Sequence, residues 1–293
     1  MDFLRPRTLD EALAMRAERP DAVPIRGGTD VMVEMNFDRR RPGALLDLAG
    51  LAELDTWHRT ADTVRLGAGV SYARIMAELA DPLPGLAMAS RTVGSPQIRN
   101  RGTVGGNLGS ASPAGDAHPP LLTAGATVEV ASTRGTRLVP AADWYLGVKR
   151  SALAADELIT AVHVPVAAGP QQFAKVGTRN AMVIAVCSLA LELAPATGAV
   201  RVAIGSAAPT PRRCPDAEAY AGAEFADRRL WTVGSPLPAV LVQRFGELVA
   251  AAADPIDDVR STAAYRRTAL AVLARRTLTW AWREFRDGGR RCA

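Results

Sequence analysis

The sequence predicts an α+β protein built as two domains, and three observations carry that expectation. The chain has 293 residues, near twice the usual domain size of roughly 150. Short strand-like segments alternate with helical ones through the first two thirds, whereas the last third is helical. Apolar residues make up 48% and charged residues 22% of the chain, which is ordinary folded composition and excludes disordered, collagenous and low-complexity classes.

Taken in order, Thr8-Leu9-Asp10-Glu11 has the spacing of a capping box and starts a helix that Pro20 stops. Val23-Pro24-Ile25 is a short apolar piece that leads into Gly27-Gly28-Thr29-Asp30, with Val31, Val33 and Met35 beyond. Leu45–Leu48 and Val64–Leu66 read as strands, and Ser71 caps a helix through Ile75 and Leu79. From Gly94 to Pro120 glycine, serine, asparagine, alanine and proline dominate, and the expectation is a long functional loop. Strands follow at Thr127–Val130 and Leu158–Val164. A weakly alternating run from Gln172 to Leu193 then pairs with Ala199–Gly205 across Pro195-Ala196-Thr197-Gly198. Helices cover Pro236–Ala253 and Tyr265–Arg286. The domain boundary is expected near Gly169-Pro170, giving 1–170, 171–286 and a tail, 287–293.

Several functions are excluded at this level. Cys187, Cys214 and Cys292 contain no C-x-x-C, so an iron–sulfur or zinc-ribbon site made by this chain alone is not expected. His58, His118 and His163 assemble no triad or metal spacing; only His118 lies beside a glycine-rich segment. The formal charge of +5 comes from arginine, with Lys149 and Lys175 the only lysines. No aromatic-rich basic stripe accompanies it, so nucleic acid is not an expected partner. The start carries no apolar signal core, and Ala181–Ala194 is too short to span a bilayer. The expectation is a cytoplasmic protein with no membrane contact.

Two glycine clusters carry the chemistry. Ile25-Arg26-Gly27-Gly28-Thr29-Asp30 turns sharply out of a strand, and its successive amides can form an anion-binding nest. Arg101-Gly102-Thr103-Val104-Gly105-Gly106-Asn107 offers the same devices, with Asn107, Ser112 and Asp116 as side-chain anchors. Together they suggest a pyrophosphate held from two sides. There is no G-x-x-x-x-G-K-[ST]. Gly67-Ala68-Gly69-Val70-Ser71-Tyr72 ends in tyrosine where a dinucleotide fingerprint needs glycine.

These clusters, with Gln97 to Asn107, Ser112-Pro113-Ala114-Gly115-Asp116, Asp156 to Ile159, Phe173 to Gly177 and Ala264-Tyr265-Arg266-Arg267, resemble the FAD-binding medium subunit of the molybdenum hydroxylases. The likeness covers nearly the whole chain. It implies a two-subdomain FAD domain of the vanillyl-alcohol oxidase type, then a small α+β domain with a three-stranded antiparallel sheet and helices. By the same resemblance Pro24, Ile25, Arg26, Gly27, Gly28, Thr29, Asp30 and Val31 wrap the FAD pyrophosphate. Thr103, Val104, Gly105, Gly106 and Asn107 meet it from the other side, and Ser112 and Asp116 anchor the cofactor. Val93 and Ile159 pack near it, and Lys175 approaches it as a donor. Some relatives carry an aromatic where this chain has Val93. A bulky residue at Gly105 or Gly106 is expected to remove the cofactor while the chain still folds.

The implied activity is electron transfer from [2Fe-2S] clusters on a small partner subunit, through FAD, to NAD or another acceptor. Hydroxylation would then occur on a molybdopterin-binding large subunit. Arg26 to Asp30 and Phe173 to Ala181 resemble the xanthine dehydrogenase branch; carbon monoxide dehydrogenase chains more often carry Gly-Gly-His-Ser in the first loop. A purine or N-heteroaromatic substrate is therefore favoured, with a carbon monoxide or aldehyde dehydrogenase subunit as the alternative. A flavin-binding or assembly protein without turnover is the alternative of another class. The arginines of the last helix, Arg266 to Arg286, are expected on a solvated face, with a contact surface for a partner chain as the alternative. Of Trp280 and Trp282, which point about 200° apart on a helix, one is an interface candidate.

Overall fold

A computed structural model describes residues 1–288; Cys292 and most of the expected tail lie outside them. The chain opens with β1 (Asp2–Leu4), α1 (Leu9–Glu18), β2 (Val23–Ile25), α2 (Val31–Asn36) and β3 (Ala44–Asp47). The three strands pair in parallel in the order β1-β3-β2. Thr8 Oγ1 caps α1 by accepting from Glu11 N at 3.2 Å, but the Glu11 carboxylate reaches past Thr8 to accept from Arg7 N at 2.7 Å. Ala12 and Leu13 then pack on Leu46 and Leu48, which fixes the helix against the sheet.

The next stretch holds β4 (Trp57–Arg59), β5 (Thr63–Gly67), α3 (Tyr72–Glu78), α4 (Pro84–Thr92), α5 (Pro96–Arg101), α6 (Val104–Ser110) and α7 (His118–Ala124). It continues through β6 (Thr127–Ser132), β7 (Gly135–Pro140), the β8 (Tyr145–Gly147) and β9 (Arg150–Ser151) hairpin, and β10 (Leu158–Pro165). An antiparallel sheet of order β4-β5-β10-β6-β7 results. Val64, Leu66, Val128, Val130 and Val162 form one core with Ile75, Leu86, Leu108 and Leu121 from its helices.

The expected loop from 94 to 120 is a correction: most of it is helix, as α5, α6 and the start of α7. Ser95 Oγ accepts from Ile98 N at 3.3 Å and Thr103 Oγ1 from Gly106 N at 2.9 Å, so each of the first two has a side-chain cap. These helices of six and seven residues are too short to show a 3.6-residue stripe. The small residues of α6 serve close approach instead of a broad apolar face.

The remainder forms β11 (Gln171–Val176), β12 (Cys187–Ala194), β13 (Ala199–Gly205), β14 (Arg212–Arg213), α8 (Pro215–Asp227), α9 (Leu230–Val233), α10 (Ala239–Ala251) and α11 (Ala263–Arg286). The sheet is antiparallel in the order β11-β12-β13-β14, so a two-residue strand joins the edge of the three expected. Every residue of β12 is buried. Cys187, Leu189, Leu191 and Leu193 pack with Phe225, Phe245, Leu270 and Trp282, while Ala190 joins Ala89 and Phe173 beneath α4. Two covered faces explain the weak alternation of the sequence there.

Arg266 is a second correction. It is 2% exposed, not on a solvated face. Its Nη1 donates to Val186 O at 2.5 Å and Ser206 O at 2.8 Å, and its Nη2 to Asp258 Oδ1 at 2.7 Å. The first turn of α11 faces the loops of the sheet, and those oxygens compensate the charge. Trp282 is core and Trp280 is 43% exposed, as their angular separation requires.

Candidate functional site

A cavity of about 400 Å³ opens where the parallel sheet meets α5 and α6, within the usual range for ligand sites. One wall is the turn from β2 into α2. Gly28 takes φ +73° there, and a Cβ on Gly27 would collide with the Arg101 carbonyl, so only glycine lets the turn lie against the end of α5. Among the described residues no protein oxygen accepts from the amides of Gly27, Gly28 or Thr29.

The opposite wall is the start of α6. A Cβ on Gly105 would stand 2.5 Å from Ala68 O and 2.6 Å from Ala68 Cβ, whereas one on Gly106 would meet only Thr103 Oγ1, at 3.3 Å. The two glycines therefore differ. Gly105 seats α6 on the β5–α3 connection, and Gly106 keeps the cavity open. The expectation that either could be enlarged without unfolding is corrected for Gly105.

Pro24, Ile25, Arg26, Gly27, Gly28, Thr29, Asp30 and Val31 all line the cavity, as do Val93, Thr103, Gly105, Gly106, Asn107 and Ile159. Four other expected residues lie elsewhere. Val104 turns its side chain into the core. Ser112 lines a neighbouring cavity of about 460 Å³, which shares Asp30 and Ser110 with the first. Asp116 and Lys175 form a buried pair behind the wall: Lys175 Nζ donates to Asp116 Oδ2 at 2.5 Å and to Thr92 O at 3.1 Å. Burial pushes the Asp116 carboxyl up, opposed by Lys175 and by the Thr92 hydroxyl. Lys175 thus holds Thr92, next to Val93, with two of its three donors already engaged.

His118 is fully buried, and burial pushes it down to about 3. Its Nδ1 lies 2.8 Å from the Tyr145 hydroxyl, so a neutral ring supports the wall from behind and does not line the cavity.

Leu54, Ala68, Gly69, Tyr72, Ile98 and Leu158 also line the site and were not anticipated. The signal for two of them was present in Gly67-Ala68-Gly69. A Cβ on Gly69 would come within 2.9 Å of both Arg26 Nε and Leu54 O. The glycines serve close approach, although the stretch fails as a dinucleotide fingerprint. Tyr72 carried no such signal.

Val23, Leu48, Val93, Ile98, Leu158 and Ile159 give the cavity apolar lining, and the free amides of Gly27, Gly28 and Thr29 belong to the same lining. Residues that line it carry unpartnered buried polar atoms: Arg16 Nε, Arg26 Nε, Tyr72 Oη and Asn107 Oδ1. Such a mixed lining fits a ligand that combines apolar ring systems with anionic and hydroxyl groups, as FAD does. Among the described residues no cluster of three or more His, Cys, Asp and Glu is placed to hold a metal ion. No described helix is long and apolar enough to cross a membrane.

Comparison with known proteins agrees with this geometry. Residues 1–167 match the family of the FAD binding domain in molybdopterin dehydrogenase, and residues 172–281 match the CO dehydrogenase flavoprotein C-terminal domain. The nicotine 6-hydroxylase medium subunit of Paenarthrobacter nicotinovorans is 31% identical over 281 residues, covering 94% of this chain and 95% of that one. The xanthine dehydrogenase FAD-binding subunit of Escherichia coli O157:H7 is 32% identical over 229 residues, covering 74% and 77%. A chain of the solved carbon monoxide dehydrogenase from Hydrogenophaga pseudoflava superposes with a TM-score of 0.87 at 26% identity, covering 97% of each chain. The fold, the cavity and these matches together place the chain in the family of FAD-binding subunits of the molybdenum hydroxylases, with FAD as its cofactor.

Proposed function

We propose that this chain is the FAD-bearing electron-transfer subunit of a cytoplasmic molybdenum hydroxylase, acting between [2Fe-2S] clusters on a small subunit and NAD or another acceptor. Oxidation of substrate then belongs to a molybdopterin-binding large subunit. The domain boundary near Gly169-Pro170 is part of the same reading. FAD held there would supply chemistry that takes up electrons one at a time and gives up two together, as one hydride. Residues of this chain hold and shield it. The amides of Gly27, Gly28 and Thr29 would receive the pyrophosphate, Gly106 would leave room for it, and Leu48, Leu158 and Ile159 would keep water from the cofactor. Lys175 and Asp116 hold the Thr92-Val93 backbone beside the cleft.

Among substrates we favour a nitrogen heterocycle, a purine such as xanthine first. Two of the relatives above bear the names of enzymes for xanthine and nicotine, both nitrogen heterocycles. The observation that carries the proposal is the pair of glycine walls facing each other across one cleft with unpartnered donors between them.

The purified chain should show a flavin absorbance spectrum or acquire one on reconstitution. Chains carrying iron, acid-labile sulfide and molybdenum should co-purify from its native host, and that complex should reduce NAD or a dye with xanthine. A colourless chain that takes up no FAD sinks the proposal. A complex that turns over carbon monoxide but no heterocycle overturns the substrate choice alone.

A further inference from the structure

Tyr72 opens α3 directly beneath the seam where the two glycine walls meet. Its amide donates to Gly102 O at 3.1 Å, and the preceding Ser71 forms a β-bridge with Thr103. Its ring edge lies 3.3 Å from the position of a Cβ on Gly102, so Gly102 lets the aromatic ring lie against the wall. Gly27 meets the carbonyl of the adjoining residue, Arg101, from the other side. The phenol is therefore fixed by backbone at the junction of both segments.

The residue is 3% exposed, it lines the cleft, and its hydroxyl has no hydrogen-bond partner among the described residues. Burying a hydroxyl without a partner is costly, and native structures rarely leave one so. Burial, with the carboxylates of Asp116 and Asp30 nearby, pushes its ionisation far above 10, so the phenol keeps its proton. A protonated phenol can donate, and the free amides of Gly27, Gly28 and Thr29, which line the same cleft, are donors too. Donors converging on one space require an acceptor, and an anionic one suits them best.

We propose that Tyr72 is a cofactor-binding residue whose hydroxyl donates a hydrogen bond to a phosphate oxygen of the FAD pyrophosphate. The inference rests on the reading of the cleft as the FAD site and assigns to it a side-chain donor outside both glycine segments. Tyr72 acts here by binding and takes no part in proton or electron transfer.

The test is Tyr72→Phe in the full chain, stripped of flavin and titrated separately with FAD and with ADP, which keeps the pyrophosphate and lacks the flavin. Phenylalanine keeps the ring packing and removes only the hydroxyl. The expected result is a ~10- to 100-fold rise in Kd for FAD, as for loss of a hydrogen bond to a charged group. A comparable rise should appear for ADP, with the flavin-free variant melting no lower than the flavin-free wild type.

Unchanged FAD affinity overturns the proposal. A loss seen with FAD and absent with ADP moves the hydroxyl off the pyrophosphate and overturns it as well. A flavin-free variant that melts several degrees lower shows a packing role and counts against it. Failure of the wild type to take up FAD, by contrast, removes the cofactor reading itself.

Discussion

The two halves of the molecule differ in where they leave buried polar groups without partners. In the second, the guanidinium of Arg266 is enclosed, and its terminal nitrogens donate to two carbonyls and a carboxylate. It clasps the start of β12, the end of β13 and the 258 loop into one body. In the first, Tyr72 Oη, Asn107 Oδ1, Arg26 Nε and Arg16 Nε, all on residues that line the cleft, are equally hidden and have no partner, and Asp116 Oδ1 and His118 Nε2 lie unpartnered behind its wall. In the second half Arg266 Nε, Glu192 Oε2 and Trp231 Nε1 are also without hydrogen bonds, but none of these residues lines the cleft; Arg266 borders the neighbouring cavity, and Arg201 lies 3.5 Å from the glutamate. Satisfied burial marks scaffold; unsatisfied burial gathered in one concavity marks space kept for a ligand.

The contrast can be broken most severely at the glycines. Gly105→Val should destabilise the chain by more than ~4 kcal/mol and yield little soluble protein, since its side chain meets the Ala68 backbone. Gly106→Val should fold, with circular dichroism like the wild type, and lose FAD from the purified protein. If both variants fold and retain flavin, the walls are not close-packed around a ligand.

Arg266→Met comes next. Removing one partner of a buried, hydrogen-bonded pair costs about 3–5 kcal/mol. Urea unfolding should show that loss, while the folded variant keeps its FAD affinity within about threefold. A large selective loss of flavin would mean that the clasp and the cleft are one system.

The smallest effect sharpens the comparison within the first half. Glu129 lies outside the cleft and is fully engaged, accepting from Arg65 and Thr160 and lying 2.7 Å from His163 Nε2. Burial alone would raise its carboxyl, but those hydrogen bonds outweigh it and hold it down to about 2. A depressed carboxyl contributes stability above its unfolded value, near 4.5, that is lost as pH falls towards 2. The contribution is about 1–2 kcal/mol once solvent around Arg65 is allowed for. Glu129→Gln should therefore be less stable at pH 7, and its melting temperature should fall less steeply between pH 4.5 and 2.

Local rules were legible in the sequence and tertiary meetings were not. Thr8, Ser71 and the Pro195–Gly198 turn act within a few residues of themselves, and each performs as its residue type dictates. The same holds for the turn at Gly27-Gly28 and the wall at Gly105-Gly106. The helices between 96 and 124 escaped because their caps were hidden among small residues that are also loop formers. Tyr72, Leu54 and Leu158 reach the cleft from α3, the segment before β4, and β10, and no spacing along the chain announces that meeting. Arg266 was misread because a row of arginines on one helix reads as a wet face until the loops that cover its first turn are known.

The close approaches at glycine also govern how this sequence can vary. At Gly27, Gly67, Gly69 and Gly105 the obstacle to a Cβ includes backbone, which no neighbouring rotamer change can move aside. Alanine, the smallest possible step, already collides at all four. At Gly106 and Gly109 the nearest atoms are side-chain ends at 3.3 and 3.8 Å, and at Gly50 and Gly222 there is nothing within 4 Å. The chain thus has two classes of glycine that are identical on paper. One forms a barrier to gradual drift, so the cleft passes from sequence to sequence whole or is lost in a single step. The other is free to explore, and Gly106 and Gly109, which line the cavity, are where a lineage can reshape what the cleft accepts without first dismantling it.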